Sequence, residues 1–122
     1  MRKHVVYYLD ERGANPVWEF ISSLSMDERD KCFEYIAYLE EAGEQIRRPA
    51  GDYLGGKLYE LRPKQTRILY FFMFKDYAVL LHAFRKTNNA IPAAEIKTAL
   101  NRMNGFILRH QEGTLRLGGD KS

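Results

Sequence analysis

The chain has 122 residues, 45% of them hydrophobic, and a net formal charge of +3. That is about one domain's worth of chain, too apolar for a disordered protein, and able to bury roughly two-thirds of its unfolded surface without a metal or disulfide staple. Its one cysteine, Cys32, cannot form an internal bridge, and its longest apolar run, Ile68 to Phe74, is too short to span a bilayer, so an unexported cytoplasmic protein is expected.

Val5 to Leu9 is rich in β-branched and aromatic residues and reads as a strand, too short for the apolar core of a signal peptide. Gly13 to Pro16 breaks it. Asn15 is a good N-cap and Pro16 suits a first helical position, where its missing N–H has no intrahelical partner. Val17, Phe20, Ile21 and Leu24 follow at helical spacing. Ser25-Met26-Asp27-Glu28 is a capping box that opens a second helix. Cys32, Phe33, Ile36 and Leu39 form its stripe, and Gly43 stops it. The near-immediate succession predicts a helical hairpin.

Residues 44–56 lack periodicity and hold Pro49, Gly51, Gly55 and Gly56, which reads as a loop. Three strands are predicted after it. Lys57 to Arg62 alternates, with Leu58, Glu60 and Arg62 on one face and Tyr59 and Leu61 on the other. Arg67 to Phe74 is nearly all apolar, as in a central strand covered on both sides. Tyr77 to Phe84 is the third. Short connections favour an antiparallel meander. Pro92 starts a last helix with Ile96, Ala99, Leu100, Met103 and Ile107 on one face. The expected organisation is one domain over 1–110 and a poorly ordered tail over 111–122. The order β-α-α-β-β-β-α predicts an α+β fold, a twisted antiparallel sheet with helices packed on one face.

Charge divides along the chain: residues 1–56 carry a net −4 and residues 57–122 a net +7. A polyanionic partner for the second half and a merely solvated basic face both fit that asymmetry. The three histidines and single cysteine fall at no metal-ligand spacing, and no Gly-rich phosphate loop or G-x-S-x-G elbow occurs, so neither a metal nor a cofactor is expected. What remains is a set of polar residues on apolar strands. Glu60, Arg62, Arg67, Arg85 and Lys86 all fall near strand ends that a meander brings to one sheet edge. RNA cleavage without metal needs a base for the 2′-hydroxyl, cations for the five-coordinate phosphorus and an acid for the leaving 5′-oxygen. Glu60 fits the base, and arginine forks fit phosphate oxygens. The plainer alternatives are a cross-strand ion pair at Glu60 and Arg62, a solvated strand start at Arg67 and a satisfied sheet residue at His82. The aromatics of the central strand are core candidates, with Tyr59 and Tyr70 kept as base stackers or proton donors.

These pieces together resemble a known family. Pro16-Val17-Trp18-Glu19-Phe20, Lys57-Leu58-Tyr59-Glu60-Leu61-Arg62, Arg67-Ile68-Leu69-Tyr70-Phe71-Phe72, Leu80 to Thr87 and Ile91 to Ile96 are similar to segments of the RelE/HigB toxin superfamily, in its phage-derived, HigB-like branch. The resemblance runs from about residue 3 to 110. It implies a fold like that of the microbial ribonucleases, and a type II toxin that enters the ribosomal A site and cleaves mRNA there. It also implies a cognate antitoxin, of the helix-turn-helix DNA-binding kind, held in a toxin–antitoxin hetero-oligomer. The family's strand-borne basic residues fall on Arg62 and Arg67, and its basic residue after the last strand on Arg85 or Lys86. Glu60 stands where some members carry a lysine or glutamate. Lys57, Tyr59, Tyr70, His82 and Thr87, within the same segments, are the candidate substrate-binding residues. The catalytic Tyr or His that several members carry near the C-terminus has no match, His110 lying too far along. Two other classes remain open: a nucleic-acid-binding or phage regulatory protein without catalysis, and an interaction protein whose basic face meets an acidic partner.

Overall fold

The computed structural model describes residues 2–113. In chain order it has β1 (His4–Tyr7), α1 (Pro16–Ser22), α2 (Met26–Ala42), a 3-10 turn (Gly43–Gln45), β2 (Gly51–Gly55), β3 (Leu58–Leu61), β4 (Thr66–Met73), β5 (Tyr77–Arg85) and α3 (Ala93–Glu112). The caps form as the sequence predicts. Asn15 accepts from the Trp18 N–H, Ser25 accepts from the Glu28 N–H, and Gly43 ends α2 with a positive φ.

The five strands lie in the order β1-β5-β4-β3-β2. The expected α+β class and element order hold, with three corrections. The stretch 44–56 is not all loop, because Gly51–Gly55 adds a fifth strand antiparallel to β3. Its short, glycine-flanked sequence carries no alternation to announce it. The sheet is mixed, not antiparallel throughout, since β1 runs parallel to β5, and α1 and α2 carry the chain from β1 at one edge to β2 at the other. And the helices cover both faces. Val17, Ile21, Cys32, Ile36 and Leu39 of α1 and α2 pack on Leu61, Ile68, Tyr70 and Leu80, whereas Ala99, Met103 and Phe106 of α3 pack on Leu69, Phe71, Val79 and Leu81. The continuous apolar run of β4 is the signature of that double coverage. The helix α3 runs to Glu112, so the first two residues of the predicted tail are helical; residues 114–122 lie outside the described part of the chain.

Strand β5 carries an irregularity that decides which of its side chains reach each face. Its pairing with β4 shifts register between Leu69, opposite His82, and Tyr70, opposite Leu80. Leu81 is the extra residue of a β-bulge. Before it, alternation places Val79 on the α3 face. Leu81 itself and the next residue, His82, both lie on that face, followed by Phe84. No helix of the described residues is long and apolar enough to cross a membrane.

Candidate functional site

Strand pleating sends Glu60 of β3, Arg62 just after it and Arg67 of β4 to the same side, beside the start of α3. Glu60 is only 2% exposed, and its Oε2 accepts from an Arg62 guanidinium nitrogen at 2.8 Å. Its Oε1 lies 3.9 Å from Arg67 Nε. Among the described residues Oε1 is the buried side-chain oxygen or nitrogen with no hydrogen-bond partner. A second Arg67 nitrogen donates to the carbonyls of Lys64 and Thr66, at 2.9 and 2.8 Å, tying the guanidinium to the β3–β4 turn. Burial, and next the neighbouring Arg62 charge, push the Arg67 guanidinium below its usual value. Gly51 makes this packing possible on the other side of β3: a Cβ there would meet the Glu60 carbonyl oxygen at 2.5 Å.

These groups line a cavity of about 270 Å³. Arg48, Arg62, Arg67 and Lys86 supply its cations, Leu54, Phe84, Ile91 and Ile96 an apolar wall, and Thr87, Asn88 and Asn89 polar groups. The N-terminus of the 20-residue α3 adjoins it through Pro92, adding a positive helix end to the field.

The structure thus joins Glu60, Arg62, Arg67, Lys86 and Thr87, and separates the remaining candidates. Arg85 lies on the opposite face, where it donates to both carboxylate oxygens of Glu28 on α2, at 3.1 and 3.2 Å. Tyr59 and Tyr70 stack on one another at 5.5 Å within the α1–α2 side of the core, so neither reaches the cavity. Burial also raises the Tyr70 phenol well above its usual pKa, which makes it a poor proton donor. Lys57 sits in the β2–β3 turn with φ 73°, outside the cavity lining.

Glu60 itself sits in a setting unlike that of an exposed base. Its Oε2 is held by Arg62 and its unpartnered Oε1 is enclosed beneath Arg67, so the 2% exposed carboxylate turns toward its own arginines and not toward solvent. Its place is that of a counter-ion that aligns two guanidiniums. Sequence reasoning missed Arg48, which pairs with Asp52 at 2.9 Å at the mouth of β2, and the Asn88-Asn89 pair. The adjacent Arg47-Arg48 in a glycine- and proline-rich loop was the available signal.

His82 stands just outside the cavity wall. Its Nε2 meets Glu95 Oε1 at 2.5 Å, its Nδ1 faces Arg102 at 3.3 Å, and its ring stacks on Phe84 at 5.4 Å. Burial is the largest influence and lowers its pKa. The Glu95 hydrogen bond opposes that, and the Arg102 charge adds to it. In the unfolded chain the imidazole takes up a proton as the pH falls through about 6.5, whereas the folded chain resists, so stability falls with acidification below that value. Unfolding free energy measured in urea between pH 7.5 and 5.5 is expected to drop in the parent and to drop less in His82→Gln. Equal slopes would assign the sensitivity elsewhere.

Comparison with known proteins places this geometry. The sequence profile of the family described as phage derived protein Gp49-like (DUF891) matches residues 19–104. The chain belongs to this phage-derived family. A solved structure of a double arginine-to-alanine mutant of the E. coli toxin RelE, in the free state, matches with a TM-score of 0.59 at 18% identity. The match covers 84% of this chain and 99% of that one, so the Gp49-like chain has the RelE fold. No curated protein matches it significantly in sequence. Two expectations drawn from the strand motifs are borne out: the phage-derived family and the RelE-like fold.

Proposed function

We propose that this Gp49-like chain is the toxin of a type II toxin–antitoxin pair, a cytoplasmic endoribonuclease that cleaves mRNA on the ribosome and is silenced by a cognate antitoxin. The observation that supports it best is the convergence of four cations on one cavity of a RelE-like sheet. Arg62 and Arg67 are held as a pair by Glu60, so their charge is set in place before a phosphate arrives, which is the arrangement that stabilises charge developing on phosphorus. Arginine cannot give up its proton, so of the lining residues other than Glu60, Lys86 is the one able to exchange one. Lys86 is therefore assigned as proton donor to the leaving 5′-oxygen, while the proton of the attacking 2′-hydroxyl passes to solvent water; no metal enters this scheme.

Induced expression is expected to arrest growth by stopping protein synthesis. Mapped mRNA 5′ ends should show new cuts inside translated codons, and co-expression of the neighbouring gene should suppress both. Normal growth and unchanged translation at verified soluble expression would count against the reading. One observation favours a second reading: among the described residues, no Tyr or His lines the cavity. A binding module without catalysis would shift the mobility of RNA and leave its length unchanged.

A further inference from the structure

The cavity has more in it than a phosphate requires. Cations alone hold a phosphate, and Arg62, Arg67 and Lys86 already supply them. Yet Leu54 and Phe84 from the sheet, Ile91 from the β5–α3 connection and Ile96 from α3 line the same space. Apolar side chains facing a cavity of about 270 Å³ leave room for a flat ring system as well as a phosphate. Asn88 and Asn89 are exposed at this cavity, and neither side-chain amide makes a hydrogen bond among the described residues. Each amide offers both a donor and an acceptor, the pairing set that a base edge presents. An apolar wall, a cationic wall and unengaged amides are the three recognition chemistries of one nucleotide: face, phosphate and edge.

We propose that the apolar half of the cavity receives one unpaired nucleobase next to the phosphate held by Arg62, Arg67 and Lys86, and that Asn88 and Asn89 read its edge. The proposal rests on the assignment of this cavity to RNA. A base inside a duplex is stacked on both sides and cannot enter, so the ligand is a single strand with one base turned out of its stack. Sequence preference then belongs to residues 87–91 and not to the catalytic cations.

Binding of 2′-O-methyl tetranucleotides tests this without cleavage, because their blocked 2′-oxygen cannot attack. An abasic residue placed at each position in turn should weaken binding to the wild-type protein at one position, by roughly tenfold or more, as loss of one stacked base does, and little at the others. Ile91→Trp, which fills the apolar half, should bring the intact tetramer down to the affinity of the abasic one while leaving the abasic affinity unchanged. Replacing Asn88 and Asn89 together by alanine should flatten the differences among the four bases at that position. Equal binding of abasic and intact tetramers by the wild-type protein would overturn the proposal, and so would failure to bind any tetramer. The wild-type comparison stands even if Ile91→Trp does not fold. RNA cleavage without any base dependence would likewise overturn the base pocket, while leaving the endonuclease intact. Base-dependent binding by a protein that never shortens RNA, with or without ribosomes, would support the pocket and sink the endonuclease.

Discussion

Glu60→Ala is expected to destabilise the fold by about 3 kcal/mol, the lower end of what breaking a buried ion pair costs. The carboxylate is 2% exposed, and its side chain faces Arg67 at 7% and Arg62 at 23% exposure. Removing it leaves two guanidiniums side by side, one of them enclosed, without the carboxylate that lies between them. Arg62 has access to water and recovers part of the loss, which sets the lower figure. The melting temperature should fall by on the order of 10 °C. Glu60→Gln keeps the shape and an acceptor for Arg62 but loses the charge, so its cost should be smaller. Denaturant titration decides it. A midpoint within error of the parent for Glu60→Ala, at unchanged slope, would mean that the cluster is not coupled. The same pair of variants separates alignment from proton transfer. If Glu60 aligns the arginines, the pH profile of cleavage by Glu60→Gln keeps its shape while the rate falls. Loss of the acidic limb would return the role of base to Glu60.

Arg67→Ala is expected to lower the rate of RNA cleavage by about 10²–10³-fold, comparable to loss of one preorganised donor at a developing charge. The stability of this variant also falls, because the guanidinium donates to the Lys64 and Thr66 carbonyls and its loss leaves turn carbonyls unpaired. Activity is therefore to be measured well below its melting temperature, with circular dichroism confirming the fold. Lys86→Ala gives the cleaner comparison: it follows β5 at the cavity and touches none of the buried pairs. Arg85→Ala, one residue earlier, should cut RNA at close to the parental rate, since its guanidinium is spent on Glu28 across the sheet. Parental cleavage by both folded Arg67→Ala and folded Lys86→Ala, or a greater loss in Arg85→Ala than in Lys86→Ala, would defeat the assignment.

Charge asymmetry along the chain also bears on the antitoxin. The net +7 carried by residues 57–122 would suit an acidic segment of the antitoxin proposed above. The Arg85–Glu28 pairing means that part of this charge is already neutralised by α2 and lies on the face opposite the cavity. An antitoxin that covers the cavity meets Arg48, Arg62 and Lys86, not Arg85.

Much of the fold was legible because it rests on local signals. Asn15, Ser25 and Gly43 mark helix ends through hydrogen bonds and backbone conformations that a few neighbouring residues decide. The alternation of Leu58, Glu60 and Arg62 against Tyr59 and Leu61 survives intact in β3, because a strand facing two cores has no freedom to slip by one residue. The resemblance carried by the strand motifs likewise pointed to the family and fold that the comparisons show. Strand β2 was not legible: five residues bounded by glycines have no pattern until β3 offers its free edge.

The composition of the site divides the same way. By itself the sequence placed Glu60 and Arg62 on one strand face, through the alternation of a pleated strand, and Arg67 across one short turn from them. It could not choose between Arg85 and Lys86. Regular alternation from Val79 would carry Leu81, Ala83 and Arg85 to the cavity side. The bulge at Leu81 inserts one residue and inverts every position after it, so that Phe84 and Lys86 face the cavity and Arg85 faces Glu28. A bulge is decided by how two strands and the helices on both faces pack together, and by no single residue within it. For that reason the tertiary structure alone decided which cation completes the cluster, and that Tyr59 and Tyr70 belong to the core.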